Sequence, residues 1–160
     1  MDTILHIDDI YNPDVAPKQL QNAAITTLEM FAPDSPEDCS AAISITNTDA
    51  VQQLNAQYRG VDKRTDVLSF KNTPDPDFPD ADPEIANHLG DIIIAYPVAQ
   101  TQADASGHSA MAELTLLVVH GMLHLLDFDH DTPTSKEKMW SAQQQVMTQL
   151  GLANIQPTET

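Results

Sequence analysis

Cysteine, basic side chains and long apolar runs are all scarce in this chain of 160 residues. Cys39 is the sole cysteine, so no internal disulfide can form, and a reducing, cytoplasmic setting is expected. No apolar run reaches the roughly 18 residues that a transmembrane helix needs. The opening MDTILHIDDI carries acids early and has no basic segment, so no signal peptide is expected. Seven Lys and Arg face 24 Asp and Glu, a formal charge of −17. Taken alone, that balance argues against a nucleic-acid partner, because phosphate binding draws on basic residues. Most of the acids read as a solubility or salt-adaptation device.

The few cations are unevenly placed. Arg59, Lys63, Arg64 and Lys71 fall within 13 positions, and only Lys18, Lys136 and Lys138 lie elsewhere. An anion bound by this protein is expected to meet residues 59–71, unless that cluster is only a solvated turn.

Hydrophobic periodicity organises the rest as one domain over residues 1–154, with a flexible tail over 155–160. Strands are expected at 3–10, 40–47, 66–71 and 88–96. Ile43 and Ile45 share one side, and the IIIA run near 92–95 reads as buried on both faces. Helices are expected at 17–32, 48–60, 97–105, 109–126 and 134–150. In the first, Leu20, Ala24, Leu28 and Phe31 line one face. The second has Thr48 or Asp49 as its cap, and Pro97 opens the third. Trp140, Val146 and Leu150 are core candidates of the last. Residues 72–87, with four prolines and five acids, read as a mobile surface loop. The order predicts an α+β layered fold, with a mixed four-stranded sheet backed by the apolar helix of 109–126. The opening β-α-β-α-β favours parallel pairing, and the direct link from the third strand to the fourth favours one antiparallel pair.

That apolar helix ends in HGMLHLLDFDH, residues 120–130. His120 and His124 are four apart and project from one helical face. His130 joins them only if the helix stops near Leu126 and the chain turns back. Asp127 and Asp129 tolerate the required turn conformations. Three neutral imidazoles with a vacant fourth position suit a catalytic zinc ion, whose bound water then titrates near neutrality. A structural zinc site would want a fourth protein ligand. The spacing matches the metzincin peptidase pattern HExxHxxGxxH, but Gly121 stands where that chemistry needs a glutamate base. Gly121 inside a helix points to close backbone packing or room for a ligand. His6, His88 and His108 show no comparable spacing and read as structural or surface residues.

HGMLHLLDFDH resembles the HGxLHLxGYDH signature of the YbeY family of metal-dependent endoribonucleases and rRNA maturation factors. LNAQYRGVDKRTDVLSF (54–70) resembles that family's LNxxYRxxDxPTDVLSF block, and HLGDIIIA (88–95) its LGDIxI strand. Glu113 and Leu114 also fit. The resemblance implies a metzincin-like metal site, with His120, His124 and His130 holding one Zn2+ per chain. It implies a catalytic role for His120 and Arg59, the latter in RNA contact. Lys63, Arg64 and Lys71 extend that contact as candidates. The implied activity is single-strand-specific cleavage of RNA in rRNA maturation, including the 16S rRNA 3′ end, and in ribosome quality control. Its partners would be an rRNA precursor and the ribosome or its small subunit, with no membrane and no nucleotide cofactor. A zinc-containing assembly factor without turnover is the alternative, and a peptidase-like hydrolase a further one. Asp66 and Asp91 could support the site or simply cap strand ends. Asp127 replaces the family's usual Gly, and Arg64 its usual Pro.

Overall fold

The computed structural model describes residues 1–73, 77 and 82–156. Strand β1 (Asp2–Ile7) runs into a short 3-10 turn (Asp9–Asp14) and helix α1 (Pro17–Phe31). Strand β2 (Ser40–Thr46), helix α2 (Thr48–Arg59) and strand β3 (Val67–Lys71) follow. A four-residue helix α3 (Pro83–Ala86) precedes strand β4 (His88–Ala95). Helices α4 (Tyr96–Ser106), α5 (Ala110–Leu125) and α6 (Pro133–Gln149) complete the order. The α+β architecture and mixed four-stranded sheet expected from the sequence are those observed.

The sheet order is β1-β2-β4-β3, parallel except for the antiparallel β3–β4 pair. One expectation needs correcting. The β-α-β-α-β pattern favoured parallel pairing through β3, yet β4 inserts between β2 and β3. The expected burial of the IIIA run on both faces holds only in part. Ile92 and Ile94 are fully buried against the helices, whereas Ile93 on the other face is half-buried beside exposed Asp91. The central position gives this apolar strand a partner on each edge. Short β3, carrying Ser69 and Lys71, takes the exposed edge. The cap of α2 is also corrected. Asn47, one residue earlier, accepts the Ala50 amide at 2.8 Å, because its own backbone is still extended there.

Alternation decides which face of the sheet is covered. Ile43, Ile45, Ile92 and Ile94 are fully buried against the helical layer. Helix α5 lies on β3 and β4, enclosed by α1, α4 and α6, and twelve of its sixteen residues are buried. Each large apolar side chain so buried stabilises the fold by roughly 1.5–3 kcal/mol. Gly121 lets α5 approach the sheet. A Cβ there would stand 2.8 Å from Ile92 Cγ2. The glycine therefore serves close packing rather than ligand space.

Other expectations meet exceptions at element ends. Phe31 is only half-buried and stacks edge-on against Phe128. Trp140 and Leu150 are half-buried, while Val146 is core. Ile155, expected in the tail, is buried and anchored by its amide to Leu152 O at 3.0 Å. Its apolar side chain outweighs the polar residues around it. Residues 157–160, and most of the acidic loop over 74–81, lie outside the described residues.

Candidate metal centre

Helix α5 brings His120 and His124 to the same face, and its C-terminus returns the chain. Asp127 sits in the left-handed region at φ 74°. Its amide bonds His124 O at 3.1 Å, and the Phe128 amide reaches back to Leu123 O at 2.9 Å. Those two bonds make a Schellman termination, with Asp127 in the position glycine usually fills. Phe128 then packs on Phe31, locking the reversal. The turn expected at LDFDH is therefore real. His130 comes back until its ring centroid is 5.1 Å from that of His124 and 5.6 Å from that of His120.

One ring nitrogen from each histidine lies within 4.8 Å of the other two. His120 Nδ1–H donates to Gln143 Oε1, and His124 Nδ1–H to the Phe128 carbonyl, both at 3.0 Å. Those acceptors fix the tautomers, so each Nε2 carries a bare lone pair. The two Nε2 atoms face each other at 3.1 Å with no proton between them. Ligand nitrogens on a tetrahedral zinc ion stand about 3.3 Å apart, so the donor set fits a cation. Burial is the main reason that both His120 and His124 titrate at about 4 rather than 6.5, with neighbouring histidines adding to the effect. Both are thus neutral at pH 7, the form that binds metals. Trp140 closes one side, edge-on to His120 and His130 at 5.8 and 5.6 Å.

An open cleft of about 360 Å³ adjoins the histidines, lined by Arg59, Ser69, Lys71, His124, Asp129, His130 and Asp131 among others. Arg59 leaves the end of α2, crosses the Phe70 ring at 5.5 Å and donates from Nη2 to Ser69 O at 2.7 Å. That carbonyl is free because β3 is an edge strand. Lys71 also lines the cleft, paired with Asp127. Arg64 lines a separate cleft with Thr48, Thr101 and Gln102, and Lys63 lines neither. The basic cluster is thus split by the fold.

The supporting carboxylates are also separated. Asp66 caps its own strand through the Val67 amide at 2.8 Å and borders a small cavity of about 50 Å³ behind His120. Asp91 lies on the opposite face of the sheet, bonded to His88 Nε2 at 3.2 Å. Sequence reasoning missed Gln143, Asp129 and Asp131, although the two aspartates flank His130. Glu113, matched to the family pattern without a role, is 1% exposed and accepts from His108 at 2.6 Å. Burial raises the Glu113 carboxyl, against the lowering effect of His108.

Fold and site together define a layered α+β protein with a three-histidine centre at the end of its central helix. The model of the family described as Endoribonuclease YbeY matches residues 7–151, and the chain belongs to that family. A relative from Brevibacillus brevis, named Endoribonuclease YbeY, is 40% identical over 153 residues, covering 90% of this chain and 96% of its own. One of the same name from Moorella thermoacetica is 47% identical over 118 residues, covering 70% and 74%. The solution structure of TM1509 from Thermotoga maritima superposes with a TM-score of 0.56 over 100% of this chain and 99% of that one. At 22% identity it speaks for the fold alone.

Proposed function

We propose that this protein is a single-strand-specific, metal-dependent endoribonuclease of rRNA maturation, acting at the 16S rRNA 3′ end and in ribosome quality control. Its family membership and the names of its relatives support RNA as substrate. The observation that carries metal dependence is the pair of bare Nε2 lone pairs at 3.1 Å, with His130 beside them. His120, His124 and His130 would hold one Zn2+. When bound, zinc supplies Lewis acidity to a phosphoryl oxygen and lowers the pKa of a water.

The chain's own residues supply the rest. Gln143 and the Phe128 carbonyl orient the two helical imidazoles, keeping their Nε2 atoms toward the cleft. Arg59 is held by Ser69 O through one donor, leaving others for a phosphate and for charge developing on it. Lys71 adds positive charge at the wall. Lys63 and Arg64, outside the cleft, would meet only flanking nucleotides. Asp129 and Asp131 repel a polyanion that lies out of register, which favours a single flexible strand over a rigid duplex. The setting would be cytoplasmic, on an rRNA precursor with the ribosome or its small subunit.

The purified protein should carry one zinc per chain and cut single-stranded RNA but not duplex. His120→Ala should abolish cutting. Equal cutting by metal-free protein and by His120→Ala would assign the activity to a contaminant. One observation favours a second reading, an assembly factor without turnover: the charge of −17 leaves few cations for binding RNA tightly. Chelation would then unfold the protein without any RNA turnover to lose. A peptidase reading has less support, since Gly121 faces Ile92 and offers no carboxylate.

A further inference from the structure

Strand β3 separates two clefts. Ser69 and Lys71 face the histidines, and Phe70 points to the other side of the sheet. There, an open groove of about 470 Å³ is lined by His6, Ser44, Leu54, Tyr58, Phe70 and Asp91, among others. Among the described residues α2 is the helix on this face, packed on β3 and β4, and it leaves the β1–β2 side open. We propose that this groove holds one nucleobase of the RNA, of a kind bearing an exocyclic amino group, while its neighbouring phosphate sits on Arg59. The inference rests on the RNA reading above.

Three observations carry it. The first is continuity. The Arg59 guanidinium lies 5.5 Å from the Phe70 centroid while its Nη2 binds Ser69 O, so one side chain bridges both clefts across the edge strand. A nucleotide whose phosphate meets Arg59 needs only to turn its base over that edge. The second is the wall. Tyr58 is 64% exposed, an unusual position for a large aromatic, and its ring stands 5.6 Å from Phe70. Tyr58 projects from the end of α2 beside half-buried Phe70 of β3, and an exposed aromatic ring is a stacking platform for an unpaired base.

The third is the floor. Phe70 pairs with Asp91 across the strands, so the carboxylate lies beside the aromatic wall. Asp91 is half-exposed and, among the described residues, bonded by its side chain to His88 at 3.2 Å, leaving lone pairs for a donor. Among the described residues no Lys or Arg lines this groove. A phosphate is therefore repelled and a neutral base is admitted. A carboxylate accepts from the amino groups of adenine, cytosine or guanine, whereas uracil has none.

The test measures binding and cleavage of single-stranded RNA by the full chain, scanning one abasic position along the oligonucleotide. One position next to the cut should weaken wild-type binding about tenfold or more, the scale of one lost base stack. Tyr58→Ala should raise KM and Kd by the same factor, leave kcat within about twofold, and become indifferent to that abasic site. Tyr58→Phe should retain wild-type behaviour. Asp91→Asn should flatten the preference for amino-bearing bases there. Tyr58 is exposed, so its variants fold. The inference is overturned if Tyr58→Ala binds as wild type or still loses the full factor at the abasic site, as it would if the groove served a protein partner. If wild-type protein neither binds nor cuts any RNA, the RNA reading itself fails.

Discussion

Gly121→Ala sets two physical effects against each other, and the structure decides their sign. Helix propensity alone makes the change stabilising by about 1 kcal/mol, because alanine is the better helix former. The site opposes it. The new methyl would stand 2.8 Å from Ile92 Cγ2 and 3.0 Å from both Cγ1 and Cδ1. Ile92 is β-branched and fully buried, so it has no free rotamer to retreat into. Overpacking of this kind costs about 1–3 kcal/mol, and three contacts at once place it near the top of that range. The net expectation is a loss of about 1–2 kcal/mol. For a chain of this size that lowers Tm by about 2–8 °C. Urea denaturation should show a lower midpoint with an unchanged slope. The damage should extend to function, because Gly121 lies between His120 and His124 on α5. A helix pushed off the sheet carries both imidazoles away from their present register with His130. Zinc affinity should fall with stability, and Ile92→Ala should partly relieve the Gly121→Ala penalty when the two are combined. A Gly121→Ala variant as stable as wild type, or more so, would refute the packing argument and leave propensity as the governing term.

Asp127→Gly should change stability by less than about 1 kcal/mol, since relief of the left-handed backbone offsets loss of an exposed ion pair. It should also free Lys71, steepening the salt dependence of RNA binding by about 0.7 in log–log slope, measured by anisotropy titrations. Acid should destabilise the metal-free protein through its histidine pair. Both folded values, about 4, lie below the unfolded 6.5, so the unfolded chain binds more protons between them. Stability should therefore fall as pH drops from 6.5 toward 4 and level off below. The pair's share is the difference from His120→Asn/His124→Asn in urea melts, and a pH-independent difference would refute the assignment. His108→Ala should cost about 1–2 kcal/mol by removing one of the donors to buried Glu113, the Gln102 amide at 2.9 Å from Oε1 remaining, and Glu113→Gln should recover part of that loss in a double-mutant cycle. Additive losses would show that the two side chains do not act as a pair.

The three histidines were legible because a spacing of four is a geometric statement about any helix. The return of His130 was legible only as a requirement. What meets it is the Schellman turn through Asp127 and the Phe128–Phe31 contact, and Phe31 is 97 positions upstream. Gln143, Ser69 and the place of Trp140 beside the histidines were invisible for the same reason, as their relevance to the site exists only after α6 and β3 dock beside α5. The split of the basic cluster follows from β3 lying on an edge. Nothing in the alternation of residues 59–71 says that Arg59 meets the histidines and Arg64 does not.

Local periodicity and composition by themselves determined the elements, the apolar central helix, the shared face of His120 and His124, and the scarcity of cations. These depend on neighbours within a few positions, where backbone geometry alone sets direction. The tertiary structure decided the sheet order, the closeness of α5 to Ile92, the tautomers of the two helical histidines and the groove across β3. Each of those is a contact between segments far apart in the chain, and only packing chooses among the arrangements that local preference allows.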